Sequence, residues 1–300
     1  MIAYVRMNRF DDAIRVSEEA RARKLDSPIL HAVRYTIAFL QRDSATMRDL
    51  LASAKGKPLT EDLQTAEHSR SEAYYGRMKQ ARELSAAAAD LAQKAGSPER
   101  AAQWKTWEAL AEAESGNIEG ARRVAAEALA LSTGPDVTPQ VALSFALSGK
   151  FVQANEIADK FAREHPVDAE IQYVRIPQVR AAVALGRNQP NEAIDILAPS
   201  IPYDLGDAFL IPAYLRGLAY LQAGKGRQAA VEFQKLLDHP GILESDMKGA
   251  LAHLQIGRAQ EMMGDTAAAR KSYQDFLSLW KDADPDIPIY KQAKAEYARL

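Results

Sequence analysis

Apolar residues recur at three- and four-residue spacing along nearly the whole chain, with charged and polar residues between them. Alternating runs of β-branched residues are few. A three-to-four period is that of a helix with one face in a core and the other in water, so the pattern predicts an all-α protein. Short glycine-bearing breaks such as "AGKGRQA" and "MMGDTAA" interrupt it, each where one helix should end and the next begin. A long series of short amphipathic helices calls for a search for internal repeats, because each unit alone is too small to bury its own face.

Such repeats are present. Aligning "YLRGLAYLQAGKGRQAAVEFQKLLDHP" (Tyr214 to Pro240) with "HLQIGRAQEMMGDTAAARKSYQDFLSLW" (His253 to Trp280) places Gly217 with Gly257, Gly224 with Gly264, Ala229 with Ala269 and Phe233 with Tyr273. The same slot is filled upstream by Ala193, Ala154, Ala121, Ala81, Met47 and Ala13, so the eight positions lie 34, 34, 40, 33, 39, 36 and 40 residues apart. A small residue is needed there because the second helix of a hairpin crosses the first closely at one point. The larger residue four places on fills the gap to the next hairpin.

This pattern resembles the tetratricopeptide repeat, most clearly at Leu215 to Pro240, where Gly217, Tyr220, Ala229, Phe233 and Pro240 match its signature. The match is weakest at Arg34 to Leu51, and the signature tryptophan is absent from every copy. The resemblance implies an α-α superhelix, a solenoid of about eight antiparallel helix hairpins spanning residues 1–300 as one unit. The first hairpin reads as truncated, because Met1 enters its motif halfway along the first helix. Residues 286–300, "DIPIYKQAKAEYARL", set Ile289 or Tyr290, Ala293, Tyr297 and Leu300 at helical spacing, as expected of a C-terminal capping helix with one apolar face. The stretch from Trp280 to Ile289 and from Gln292 to Leu300 also resembles the end of bacterial eukaryote-like serine/threonine kinases that carry such repeats after the catalytic domain. That resemblance implies a regulatory or partner-binding appendage.

Composition narrows the function. Lys and Arg number 38 against 40 Asp and Glu, a net charge of -2, which gives no field suited to a phosphate backbone and argues against a nucleic-acid partner. No apolar run approaches a membrane span, so direct membrane insertion is not expected. With no cysteine, thiolate metal sites are excluded, and the five histidines, His31, His68, His165, His239 and His253, fall in different repeats. Gly224, Gly226 and Ala229 mimic a dinucleotide fingerprint, but the segment before them is helical by period rather than a strand. Asp282, Asp284 and Asp286 alternate as in a calcium loop, yet Ile287 and Ala293 stand where glycine and glutamate are required. There is no His-Arg-Asp catalytic loop, Asp-Phe-Gly or glycine-rich kinase loop. The chain is therefore read as non-catalytic, with no cofactor and no metal. Composition is neutral as to compartment and oligomeric state.

The remaining expectation is a protein or peptide partner in the concave groove. The repeat register implies that the first helices line this groove, and it nominates Arg70, Tyr74, Gln103, Thr106, Arg175, Gln178, Tyr214, Leu218, Arg258 and Glu261. Arginines and aromatics suit that role because they bring area and directional hydrogen bonds at modest entropy cost. Trp107 lies near the same face, although Trp104 and Trp107 are read first as packing between repeats. The Lys and Asn set that clamps a peptide's terminal carboxylates in one subgroup of the repeat family is absent, which disfavours a chaperone-tail receptor. The alternative is a small-ligand sensor that changes superhelix curvature. A deep pocket lined by the arginines and tyrosines above would favour it, and an open shallow groove would count against it.

Overall fold

In the computed structural model of the chain, described at every residue except Asp26 and Asp207, 77% of the protein is helical, with no strand among the described residues. The helices form consecutive hairpins. α1 (Ile2–Arg6) packs on α2 (Phe10–Ala22), α3 (Pro28–Leu40) on α4 (Ser44–Ala54), α5 (Glu61–Tyr74) on α6 (Met78–Lys94), and α7 (Pro98–Ser115) on α8 (Ile118–Leu131). In the second half α9 (Thr138–Leu147) packs on α10 (Phe151–Glu164), α11 (Ile176–Gly186) on α12 (Pro190–Leu197), and α13 (Ile211–Gln222) on α14 (Gly226–Asp238). A single turn, α15 (Pro240–Leu243), leads to the last hairpin, α16 (Lys248–Met262) with α17 (Thr266–Leu279), and α18 (Pro288–Tyr297) follows. The chain is an all-α superhelix.

Every repeat slot falls on the second helix of a pair. Six of its alanines, at positions 13, 121, 154, 193, 229 and 269, have no exposed surface, and Ala81 is buried too. Met47, the one larger occupant, is only half-buried. The glycine in the first helix has a matching role: a Cβ at Gly217 would sit 2.6 Å from the Phe233 ring, and one at Gly257 would sit 2.9 Å from the Tyr273 ring. Glycine on the first helix and an aromatic residue on the second thus interlock within one hairpin. Side chains start several helices, with Ser27, Asp43, Asn117 and Asp265 each accepting a hydrogen bond from the backbone N–H three residues on.

The superhelix returns on itself. α15 packs against α1 and α3, α16 against α5, and α18 against both α17 and α7. Asn8 ties this seam by donating from Nδ2 to the Asp238 carbonyl at 2.9 Å and accepting from the Gly241 N–H at 3.0 Å. Gly241 is required by proximity, since a Cβ there would lie 1.8 Å from the Val5 carbonyl oxygen. Trp280, with no exposed surface, donates from Nε1 to the Tyr74 carbonyl at 2.9 Å. Asp284, one of the calcium-like trio, accepts at 2.8 Å from the backbone N–H of Lys79 in the first turn of α6. The apolar core shares this closure: Ala73, Met78 and Ala81 of the third hairpin belong to the same cluster as Phe233, Tyr273 and Trp280.

Candidate binding chamber

Closure converts the concave face into a chamber of about 400 Å³ between α5 and α7 on one side and the segment from Glu244 to Lys248 on the other. Residues three or four apart on a helix share a face, which is why α5 presents Glu67 and Arg70 together, and α7 presents Trp107, Leu110 and Glu114. Met78, Phe209, Ile211 and Met247 add apolar wall. Aromatic, aliphatic and charged groups therefore converge on one partly enclosed space, as they do in ligand sites.

Two ion-pair clusters hold the walls together. Arg70 lies 3.4 Å from Glu67 and 3.2 Å from Glu244, with its guanidinium over the Trp107 ring at 4.5 Å. The Ser245 hydroxyl donates to Glu67 at 3.3 Å. In the second cluster Lys248 Nζ lies 2.7 Å from Glu114 and 3.1 Å from Asp246. Burial pushes the Glu67 and Glu114 carboxyls up to about 7, against the opposing pull of Arg70 and Lys248 respectively. Burial works against the charge on Lys248 as well, but Asp246 and Glu114 outweigh it and hold the ammonium above its ordinary pKa. Glu244 adopts φ 59°, a left-handed conformation rare for a residue with a Cβ, immediately after α15.

Three of the ten register-nominated residues line the chamber: Arg70, Gln103 and Arg175, the last paired with Glu170 at 2.7 Å. The other seven lie elsewhere. Tyr74 meets Phe39 edge-on at 5.1 Å, and Leu218 is half-buried against both large apolar clusters. Thr106, Gln178 and Tyr214 are buried inside the hairpin stack, with the Thr106 hydroxyl donating to the Gln103 carbonyl at 2.7 Å. Arg258 makes a two-pronged pair with Glu296 of α18, both contacts at 2.9 Å, so its position in the superhelix is covered by the chain itself. Glu261 accepts from the Tyr273 hydroxyl at 3.3 Å. The register did not nominate Glu67, Glu108, Glu114 or the segment Glu244 to Lys248, which also line the chamber. The available signal was the 40-residue step from Ala229 to Ala269, whose extra residues include the segment that closes the chamber. Trp104 and Trp107 do pack on each other, with centroids 4.7 Å apart, and both also face the chamber.

Among the described residues no group of three or more histidine and carboxylate side chains is set to hold a metal ion, and no helix is long and apolar enough to cross a membrane. No family model matches the chain, and no curated protein matches it. Solved structures that match include the crystal structure of a tetratricopeptide repeat protein from Parabacteroides merdae ATCC 43184 at 2.39 Å resolution. It is 14% identical, with 95% of this chain and 96% of that one covered and a TM-score of 0.49.

Proposed function

We propose that this chain is a non-catalytic binding module that receives a short segment of a protein partner in the chamber between α5, α7 and the segment from Glu244 to Lys248. One observation carries the reading: a partly enclosed space of about 400 Å³ in which aromatic, apolar and charged side chains converge. A cavity of that size admits one or two side chains of an extended peptide, and it is too small for a folded domain. In a larger signalling protein of the kind its C-terminal sequence resembles, such a module would bring that partner to a kinase. The second reading, a small-ligand sensor, is favoured by a specific feature: the walls come from hairpins far apart in the chain, so a ligand touching both would stabilise the closed form.

Calorimetric titration of an unbiased set of synthetic decapeptides against the intact chain and its Ala111→Trp variant tests the proposal. Ala111 is half-buried in the chamber wall, and an indole there fills the space. At least one peptide is expected to bind with one-to-one stoichiometry to the native chain and to lose that binding in the variant. Peptide binding that survives in the variant places the partner site elsewhere on the molecule. A metabolite that raises the Tm of the native chain alone, with no peptide bound, selects the sensor reading.

A further inference from the structure

The charge inventory of the chamber is uneven. Among the described residues its lining holds seven carboxylates against four cations, and each of those cations has a carboxylate partner. Arg70 is paired with Glu67 and Glu244, Arg82 with Glu112, Arg175 with Glu170, and Lys248 with Glu114 and Asp246. No lining cation is left to receive an anionic ligand.

Two of the carboxylates are in the opposite condition. Glu108, half-buried on α7, has no cation within 4 Å among the described residues. Lys105, Arg123 and Arg82, the cations that act on it electrostatically, are engaged elsewhere, Lys105 and Arg123 by Glu127 at 2.7 and 2.6 Å and Arg82 by Glu112. Burial holds the Glu108 carboxyl above its ordinary pKa, with a Ser85 hydrogen bond opposing that shift only in part. Asp136, exposed at the edge of the chamber, also lacks an ion-pair partner among the described residues. A desolvated carboxylate without a counter-ion is costly, and a ligand cation that supplies one recovers that cost.

We propose that the chamber takes a cationic group, the guanidinium or ammonium of a basic side chain on the partner peptide, seated against Glu108 with its methylenes along Trp107, Leu110 and Phe209. The inference rests on the chamber being the binding site, and it names the chemistry of what enters. The apolar walls suit the hydrocarbon stem of such a side chain, and the unpaired carboxylate suits its head. A free amine shares this chemistry, so peptide and small-molecule sources must be separated by experiment.

The probes are three decapeptides of one glycine-serine sequence that differ only at a central residue, arginine, its neutral isostere citrulline, or glutamate, together with free arginine amide. Each is titrated by tryptophan fluorescence into the native chain, Glu108→Gln, Asp136→Asn and Ala111→Trp, after circular dichroism confirms each variant is folded. The arginine peptide is expected to bind saturably, the citrulline and glutamate peptides to bind at least about tenfold more weakly, and Glu108→Gln to erase that preference. Asp136→Asn, at the edge, is expected to have a smaller effect of the same sign. Arginine amide binding as tightly as the peptide assigns the site to a free small cation, and weaker binding assigns it to the peptide. Equal binding of arginine and citrulline peptides, preference for glutamate, no binding of either cationic probe, or indifference to Glu108→Gln each overturns the proposal. Failure of the charge preference with another peptide still lost in Ala111→Trp leaves the chamber as the receptor. Arginine-peptide binding undiminished in Ala111→Trp refutes the chamber itself.

Discussion

The carboxyl of Glu114 is buried beside Lys248, and burial moves its pKa from 4.5 up to about 7. Lys248, Asp246 and Tyr214 are the titratable groups that face it. A carboxyl whose folded pKa is raised binds a proton in the folded chain that the unfolded chain has released. Its contribution to stability is therefore full below about pH 4.5, declines as pH rises towards about 7, and is flat above that. Glu67 acts in the same direction. His253 acts in the opposite one, because burial lowers its pKa and its contribution is lost as pH falls. A comparison with Glu114→Gln isolates the one group. Urea unfolding of the two chains at pH 5, 6, 7 and 8 is expected to show the native chain losing stability relative to the variant across pH 5 to 7, by at most about 3 kcal/mol. A pH-independent difference would mean that this carboxyl titrates as it does in the unfolded chain.

At the scale of the helix pair, the interlock of Gly217 with Phe233 and of Gly257 with Tyr273 leaves no room for a Cβ at either glycine. Ala229 sits on the second helix with no exposed surface. Replacing it with leucine forces the pair apart, at an expected cost of about 1–3 kcal/mol by overpacking. Chemical denaturation that shows no loss would mean the slot is not at a helix crossing. This scale was also the most legible in the sequence, because the alanine slot and the aromatic residue after it are imposed by contacts local to one hairpin. The chamber was not legible in the same way. It depends on small rotations between successive repeats that accumulate until residues near 240–290 meet residues near 60–116, and no local pattern encodes that sum. Arg258 shows the consequence: its register is that of a groove residue, yet Glu296 of α18 occupies it. Only the lengthened repeat steps, such as the 40 residues from Ala229 to Ala269, marked where the regular geometry would be interrupted.

For the whole molecule, the exposed surface lies within about a tenth of that of a compact monomer. The chain exposes 13410 Å², against about 12,500 Å² for a compact monomer of its 33.0 kDa mass. An open superhelix of the same length would expose the walls of the seam as well. Trp280 is the largest fully buried side chain, and it joins α17 to the end of α5 across the seam through its Nε1 bond to Tyr74. Truncating it removes that bond and leaves a cavity, a loss of about 3–5 kcal/mol. In a repeat array, stability is close to a sum over neighbours, so the hairpins away from the seam should keep their helices. Trp280→Ala is therefore expected to leave the far-ultraviolet helical signal nearly intact. Small-angle scattering of the variant should show a radius of gyration above that of the native chain. The same variant should bind chamber ligands more weakly, because one wall of the chamber is carried by the segment leading into the last hairpin. Unchanged scattering with helices intact would show that the seam is held without Trp280, by its remaining hydrogen bonds, ion pairs and apolar contacts.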